Sequence, residues 1–166
     1  MKTLIVVDMQ NDFIDGCLGT VEAQSIVNNV SKKIADYRAN GDEVIFTRDT
    51  HGEDYLDTPE GKKLPVKHCI KDTFGWQISD KLDTADSVII DKPNFGYTEW
   101  GTMSFEEIEL VGVCTDICVV SNALILKALF PDVSMSVDAS CCAGVTPESH
   151  NAALFTMKMC QIDIKE

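Results

Sequence analysis

The sequence predicts an α/β domain, a three-layer sandwich with helices on both faces of a six-stranded, mostly parallel sheet. Three observations carry this expectation. Short apolar runs such as Thr3–Val7 are β-branched and lack polar alternation, as in strands buried on both faces. Longer stretches with helical spacing lie between several of them. Strong helix punctuation, such as Thr146-Pro147-Glu148, separates the two kinds of segment. With 166 residues, 45% of them hydrophobic, and no Gly/Ser/Pro linker or internal repeat, residues 1–166 read as one packed domain.

Thr3–Val7 is the first strand. Thr20 then caps a helix over Val21–Asn40, with Ile26, Val27, Val30, Ile34 and Tyr37 on one face and Gly41 at its C-terminus. Glu43–Thr47 is the second strand. The polar stretch from Arg48 to Thr73 is long for a connection, which marks it as functional or disordered. Trp76, Ile78 and Leu82 suggest a short helix, and Ser87–Ile90 the third strand. Between Lys92 and the fourth strand, Ile108–Val113, there is no helical period, so an extended chain at roughly 3.3 Å per residue must cross the sheet. Parallel sheets are normally covered on both faces, so a partner chain is expected to bury apolar surface near Phe95–Phe105 in a homo-oligomer. A helix from Thr115 to Phe130, capped by Thr115, stops at Pro131. Val133–Val137, the Thr146 helix and a last strand near Gln161–Ile164 complete the pattern.

Charge narrows the function. Lys plus Arg total 14 against 27 Asp plus Glu, a net charge of −13, which excludes a phosphate-binding surface for nucleic acid and adhesion to anionic membranes. No apolar run is long enough to span a bilayer, and Leu4–Val7 ends at Asp8, too soon for a signal-peptide core. Seven cysteines without paired CxxC spacing fit a reduced, cytoplasmic chain in which most thiols, Cys141 and Cys142 included, are inert small core residues.

Open α/β sheets place their sites at the carboxyl ends of the strands. That rule selects Asp8, Asp49, His51, Asp91, Lys92 and the turn Cys114–Cys118. Cys118 lies in the first turn of the predicted helix, where free amides and the helix dipole favour a thiolate and can bind an oxyanion. A base is also required. His51 and His68 share the polar connection but form no dyad motif with Cys118, and His150 sits in the late helix as a structural residue. Asp8 is the alternative, its carboxyl expected to be raised by desolvation and partly offset by Lys92.

Val7-Asp8-Met9-Gln10-Asn11-Asp12-Phe13, the lysine of Asp91-Lys92-Pro93-Asn94-Phe95, and Gly112-Val113-Cys114-Thr115-Asp116-Ile117-Cys118-Val119 resemble, in this order, the isochorismatase-like cysteine hydrolases, which include the nicotinamidases. The resemblance implies a six-stranded parallel sheet and a triad of Asp8, Lys92 and Cys118. It also implies a cis peptide before Cys114 and an oxyanion hole from the amides of Cys114 and Cys118. True isochorismatases lack this cysteine, so Cys118 points to the amidase branch, a small-molecule amide substrate and no organic cofactor.

Nicotinamidases also bind a divalent metal through an Asp-x-His pair, a later ligand and a histidine following a proline. Asp49, His51 and His68 match, and Glu60 in Pro59-Glu60-Gly61-Lys62 resembles the glutamate some bacterial members use as the remaining ligand. Such a set suits Zn²⁺, Mn²⁺ or Fe²⁺. Phe13 matches the aromatic position that packs on the substrate ring, with Phe95 or Tyr97 facing it. Pro65 stands where many nicotinamidases have tryptophan, which bears on the substrate more than on the chemistry. Rival readings are a metal-independent hydrolase of another amide, carbamoyl or ureido compound, a non-catalytic oligomeric binding module, and a redox or metal-handling protein.

Overall fold

The computed structural model describes all 166 residues. Six strands, β1 (Lys2–Val7), β2 (Glu43–Asp49), β3 (Val88–Lys92), β4 (Glu107–Val113), β5 (Ser134–Ala143) and β6 (Asp163–Lys165), form one sheet in the order β3-β2-β1-β4-β5-β6. Every pairing is parallel. Five α-helices accompany them: α1 (Asn11–Ile14), α2 (Val21–Ala39), α3 (Pro59–Lys63), α4 (Val120–Leu129) and α5 (Pro147–Met159). No helix is long and apolar enough to cross a membrane.

The pleat divides the core in two. Leu4 and Val6 of β1 pack with Val44, Phe46 and Val111 against the apolar face of α2. Ile5 and Val7 point the other way, into a second core with Ile45, Leu110, Ala123 and Leu126 of α4, and Met157 of α5. This double burial is why the strands read as unbroken apolar runs. Asp49 of β2, Glu109 of β4 and Asp138 of β5 interrupt this apolar burial. Glu109 of β4 is buried under α2, where the Tyr37 hydroxyl and Lys33 ammonium donate to it at 2.5 Å and Lys165 of β6 at 2.9 Å.

Three sequence expectations are corrected. Residues Trp76 to Leu82 form no helix. Arg48 lies 3.6 Å over the Trp76 ring, the indole N–H donates to Thr50 Oγ1, and Ile78 bridges to Gln10, so these residues are spent on holding the loop to β2 and to the start of α1. The short helices α1 and α3 were not foreseen, although Thr58-Pro59-Glu60 repeats the start signal of α5 and Thr58 Oγ1 caps Gly61 N–H at 3.0 Å. The helix expected from Thr115 begins as a π-helical turn, Thr115–Val119, before α4, and Cys114 occupies the cap position without a side-chain bond.

The connection from β3 to β4 lacks a crossover helix, as expected, and holds only a 3₁₀ turn, Trp100–Thr102. Trp100 is fully buried, donates its indole N–H to Asn122 Oδ1 at 2.9 Å, and meets Tyr97 and Phe105 edge-on. Within the band Phe95–Phe105, Trp100 is buried by the chain itself, whereas Phe95 remains exposed.

Candidate active site

The strand order reverses between β1 and β4, and the crevice at such a switch point is where open α/β sheets place their sites. Gly112 of β4 has φ +115°, and a Cβ there would lie 2.1 Å from the Val7 carbonyl oxygen, so only glycine lets β4 approach the end of β1 this closely. Asp8 follows β1 in the left-handed region, with φ 50°, and the Val113–Cys114 peptide that follows β4 is cis.

Asp8, Lys92 and Cys118 converge here, all buried. Lys92 Nζ stands 2.6 Å from Asp8 Oδ2 and donates to the Asn94 carbonyl at 3.0 Å, while Thr47 Oγ1 donates to Asp8 Oδ1 at 2.6 Å. The Cys118 thiol lies close enough to Asp8 to feel its charge. Burial raises the Asp8 carboxyl above its ordinary value, with Lys92 opposing the rise. Burial works against the Lys92 ammonium, but Asp8, Cys118 and Asp49 outweigh it and hold the lysine charged, above its usual range.

Burial, reinforced by the Asp8 charge and only partly offset by Lys92, pushes Cys118 well above an ordinary cysteine. Cys118 therefore rests as a neutral thiol, and a proton has to move before it can act as a nucleophile. Burial likewise pushes Cys114 up to about 12.

A cavity of about 310 Å³ opens onto these residues. Phe13, Leu18, Phe95, Ile117 and Val145 give it apolar walls, and Cys114, Cys118, Asp49, Glu60 and His68 also line it. Tyr97, expected to face the substrate, does not reach the wall. Its ring packs 5.1 Å from Trp100 and its hydroxyl lies 3.3 Å from Glu99. Leu18, Ile117 and Val145 were not singled out, because nothing separates a pocket wall from a core residue in an apolar sequence pattern.

One side of the cavity gathers Asp49, His51, Glu60 and His68, with one ligand atom of each within 4.8 Å of the others. His51 Nε2 is 2.9 Å from Asp49 Oδ2 and 3.6 Å from Glu60 Oε1, and His68 Nε2 is 3.6 and 3.9 Å from the same atoms. The four histidine–carboxylate spacings fall within the roughly 4.2 Å that can separate two ligands each about 2.1 Å from one cation. His68 Nδ1 donates to the Val66 carbonyl at 2.8 Å, which leaves Nε2 as the lone-pair nitrogen. Asp49 Oδ1 is buried without a hydrogen-bond partner, Lys92 Nζ being 3.6 Å away. Burial and the nearby Asp49 charge raise the Glu60 carboxyl, a repulsion that a cation between them would relieve. The donor set fits a divalent ion.

Three supporting residues escaped the sequence reading of the site. Gln10, which lay inside the first motif, clamps the end of β2: its Oε1 accepts the Asp49 N–H at 2.7 Å and its Nε2 donates to the Asp49 carbonyl at 2.8 Å. The Tyr55 ring is wedged 4.7 Å from His51 and 4.9 Å from His68. Thr47, which holds Asp8, looks in sequence like any β-branched strand residue.

The family model for the isochorismatase domain matches residues 2–164. A nicotinamidase of Saccharomyces cerevisiae is 27% identical over 99% of each chain. A protein of Arabidopsis thaliana named "Probable inactive nicotinamidase" is 30% identical over 93% of this chain and 87% of its own. Among solved structures, the pyrazinamidase of Pyrococcus horikoshii in complex with zinc superposes with a TM-score of 0.87 at 26% identity, over 99% of this chain and 98% of that one.

Proposed function

The chain belongs to the isochorismatase family, and from that premise we propose that it is a nicotinamidase-like, thiol-dependent amidohydrolase cleaving the C–N bond of a small-molecule amide. The observation that carries the reading is the buried meeting of the Asp8 carboxylate, the Lys92 ammonium and the Cys118 thiol beside an apolar cavity of single-ring size.

Asp8 accepts the Cys118 proton as sulfur attacks the amide carbonyl carbon, forming the C–S bond. The backbone N–H groups of Cys114 and Cys118 hold the oxyanion. Collapse of the adduct breaks the C–N bond, and the proton on Asp8 passes to the departing nitrogen, releasing ammonia. A water then attacks the thioester carbonyl, giving its proton to Asp8 and freeing the carboxylic acid and the thiol. Lys92 favours the charged form of Asp8, because its ammonium lies 2.6 Å from that carboxylate. Phe13 and Phe95, both lining the cavity, offer aromatic surface to a planar ring.

Asp49, His51, Glu60 and His68 are the residues that would hold Zn²⁺, Mn²⁺ or Fe²⁺. A cation there supplies a Lewis-acidic anchor for a ring nitrogen, and nicotinamide is the first substrate to try. Seven unpaired cysteines support a reduced, cytoplasmic setting, and a homo-oligomer remains the assembly expected, checked by light scattering at micromolar concentration. The test of function is ammonia release from a panel of small amides, ureido and carbamoyl compounds, with and without chelator. Turnover of pyridine carboxamides supports the reading. Turnover confined to ureido or carbamoyl compounds redirects the substrate class, and no turnover at all favours a non-catalytic relative.

A further inference from the structure

The turn Cys114–Val119 carries Cys118 and both amides assigned to the oxyanion. Its Cys114 carbonyl receives Ile117 N–H at 3.1 Å and Val119 N–H at 3.0 Å, and its trailing end is held by α4, where Val120 N–H donates to the Thr115 and Ile117 carbonyls and Asn122 Nδ2 donates to the Cys118 carbonyl at 2.8 Å. No side chain caps its N-terminus. The firm contacts at its leading end come from elsewhere in the chain. Thr115 is fully buried, and its hydroxyl lies 2.7 Å from His150 Nδ1 of α5. Its neighbour Asp116 accepts the Val145 N–H with both carboxylate oxygens, at 3.1 and 3.3 Å.

The α5 end of this contact is itself built to stay in place. A capping box between Thr146 and Ser149 fixes the first turn of α5, and Pro147 occupies its first position. His150 N–H donates to the Thr146 carbonyl at 3.0 Å. Gly144 lets this turn dock on the end of β5, since a Cβ there would meet His150 Cβ at 2.8 Å. Burial holds the His150 imidazole below its ordinary value, so a neutral ring faces the Thr115 hydroxyl near neutral pH.

We propose that His150, through Thr115, is a positioning residue that sets where Cys118 and its flanking amides sit. His150 touches neither the cavity nor the triad; it acts through the backbone of the turn. Misplacing reacting groups by about 1 Å costs on the order of 100-fold in rate, so a clamp of this kind governs turnover more than binding. The kinetic consequence rests on the amidase reading; the effect on Cys118 reactivity does not.

The experiment pairs two readouts on Thr115→Val, His150→Ala, the double variant, and the conservative Thr115→Ser and His150→Asn. Amide hydrolysis gives kcat and KM, and iodoacetamide labelling followed by peptide mapping gives the alkylation rate of Cys118. Expected are a fall of about tenfold or more in kcat with KM within about twofold, and a shift of at least about threefold in Cys118 alkylation. The double variant should be no worse than either single one, because both remove the same contact. The conservative variants should recover at least about half of each loss. Single variants at wild-type values in both assays overturn the proposal. So do effects that multiply in the double variant, or a loss of melting temperature alone with no recovery in the conservative pair. If wild type hydrolyses no amide, coupled alkylation effects still uphold the clamp while the amidase reading falls.

Discussion

The Lys92 ammonium lies 2.6 Å from the Asp8 carboxylate, and neither side chain is reached by solvent. Each of these charges is tolerable only because of the other. Removing one partner of a buried pair leaves the remaining charge desolvated and uncompensated.

That relationship predicts an asymmetry in stability. Lys92→Met should destabilise the fold by about 3–5 kcal/mol, and adding Asp8→Asn should restore much of the loss. Urea denaturation of the two variants provides the measurement. Equal stability of the single and double variants would show that Thr47 and the backbone suffice to hold the Asp8 charge.

Cys118→Ala should lower amide turnover by at least about 1,000-fold while leaving the circular-dichroism spectrum and melting temperature near wild type. Cys114→Ala should lose less than about tenfold, since the mechanism uses only its backbone amide. A Cys118→Ala protein that retains wild-type ammonia release would disprove the nucleophile.

Acid stability should depend on Glu109. Burial disfavours its charge, but hydrogen bonds from Lys33, Tyr37 and Lys165 more than compensate and hold its carboxyl below the usual range. The unfolded chain therefore binds this proton at higher pH than the folded one. The network's contribution is fully present above the unfolded carboxylate pKa near 4.3 and is lost as pH falls through the lower folded value. Glu109→Gln should cost about 1–3 kcal/mol at pH 7, and its difference from wild type should shrink in urea titrations below about pH 4. A difference independent of pH would mean that packing of the side chain, and not its charge, is what matters.

His51→Ala and His68→Ala should each abolish stoichiometric binding of Zn²⁺, Mn²⁺ or Fe²⁺, read by elemental analysis of untagged protein after reloading. Glu60→Gln should weaken binding less, because Glu60 is the most exposed of the four ligands. Chelation should change KM or kcat with little effect on melting temperature, as the two cores close without the site. Wild-type binding in the histidine variants would remove the site and leave the Asp8–Lys92–Cys118 chemistry standing.

Much of this was legible in the residues alone. Unbroken apolar runs told which segments are strands buried on both faces, and their carboxyl ends told where Asp8, Asp49, Lys92 and Cys118 gather, because both follow from local pattern and the topology of parallel sheets. What local pattern cannot carry is the identity of a side chain's partner. Thr115 has the composition of a helix cap, and tertiary packing gave its hydroxyl to His150 instead. Trp76 and Ile78 have helical spacing, but Arg48, Thr50 and Gln10 offered them better contacts. Tyr97 lies close in sequence to Lys92, yet its ring packs against Trp100 at the edge of the core and Phe95 was left at the cavity. Cys118 was expected at a helix start with Asp8 as its base, and what only the closed fold decides is the burial beside Asp8 that raises the thiol. Desolvation and partner choice depend on everything that packs around a residue, and that is set by the closed fold, not by neighbours along the chain.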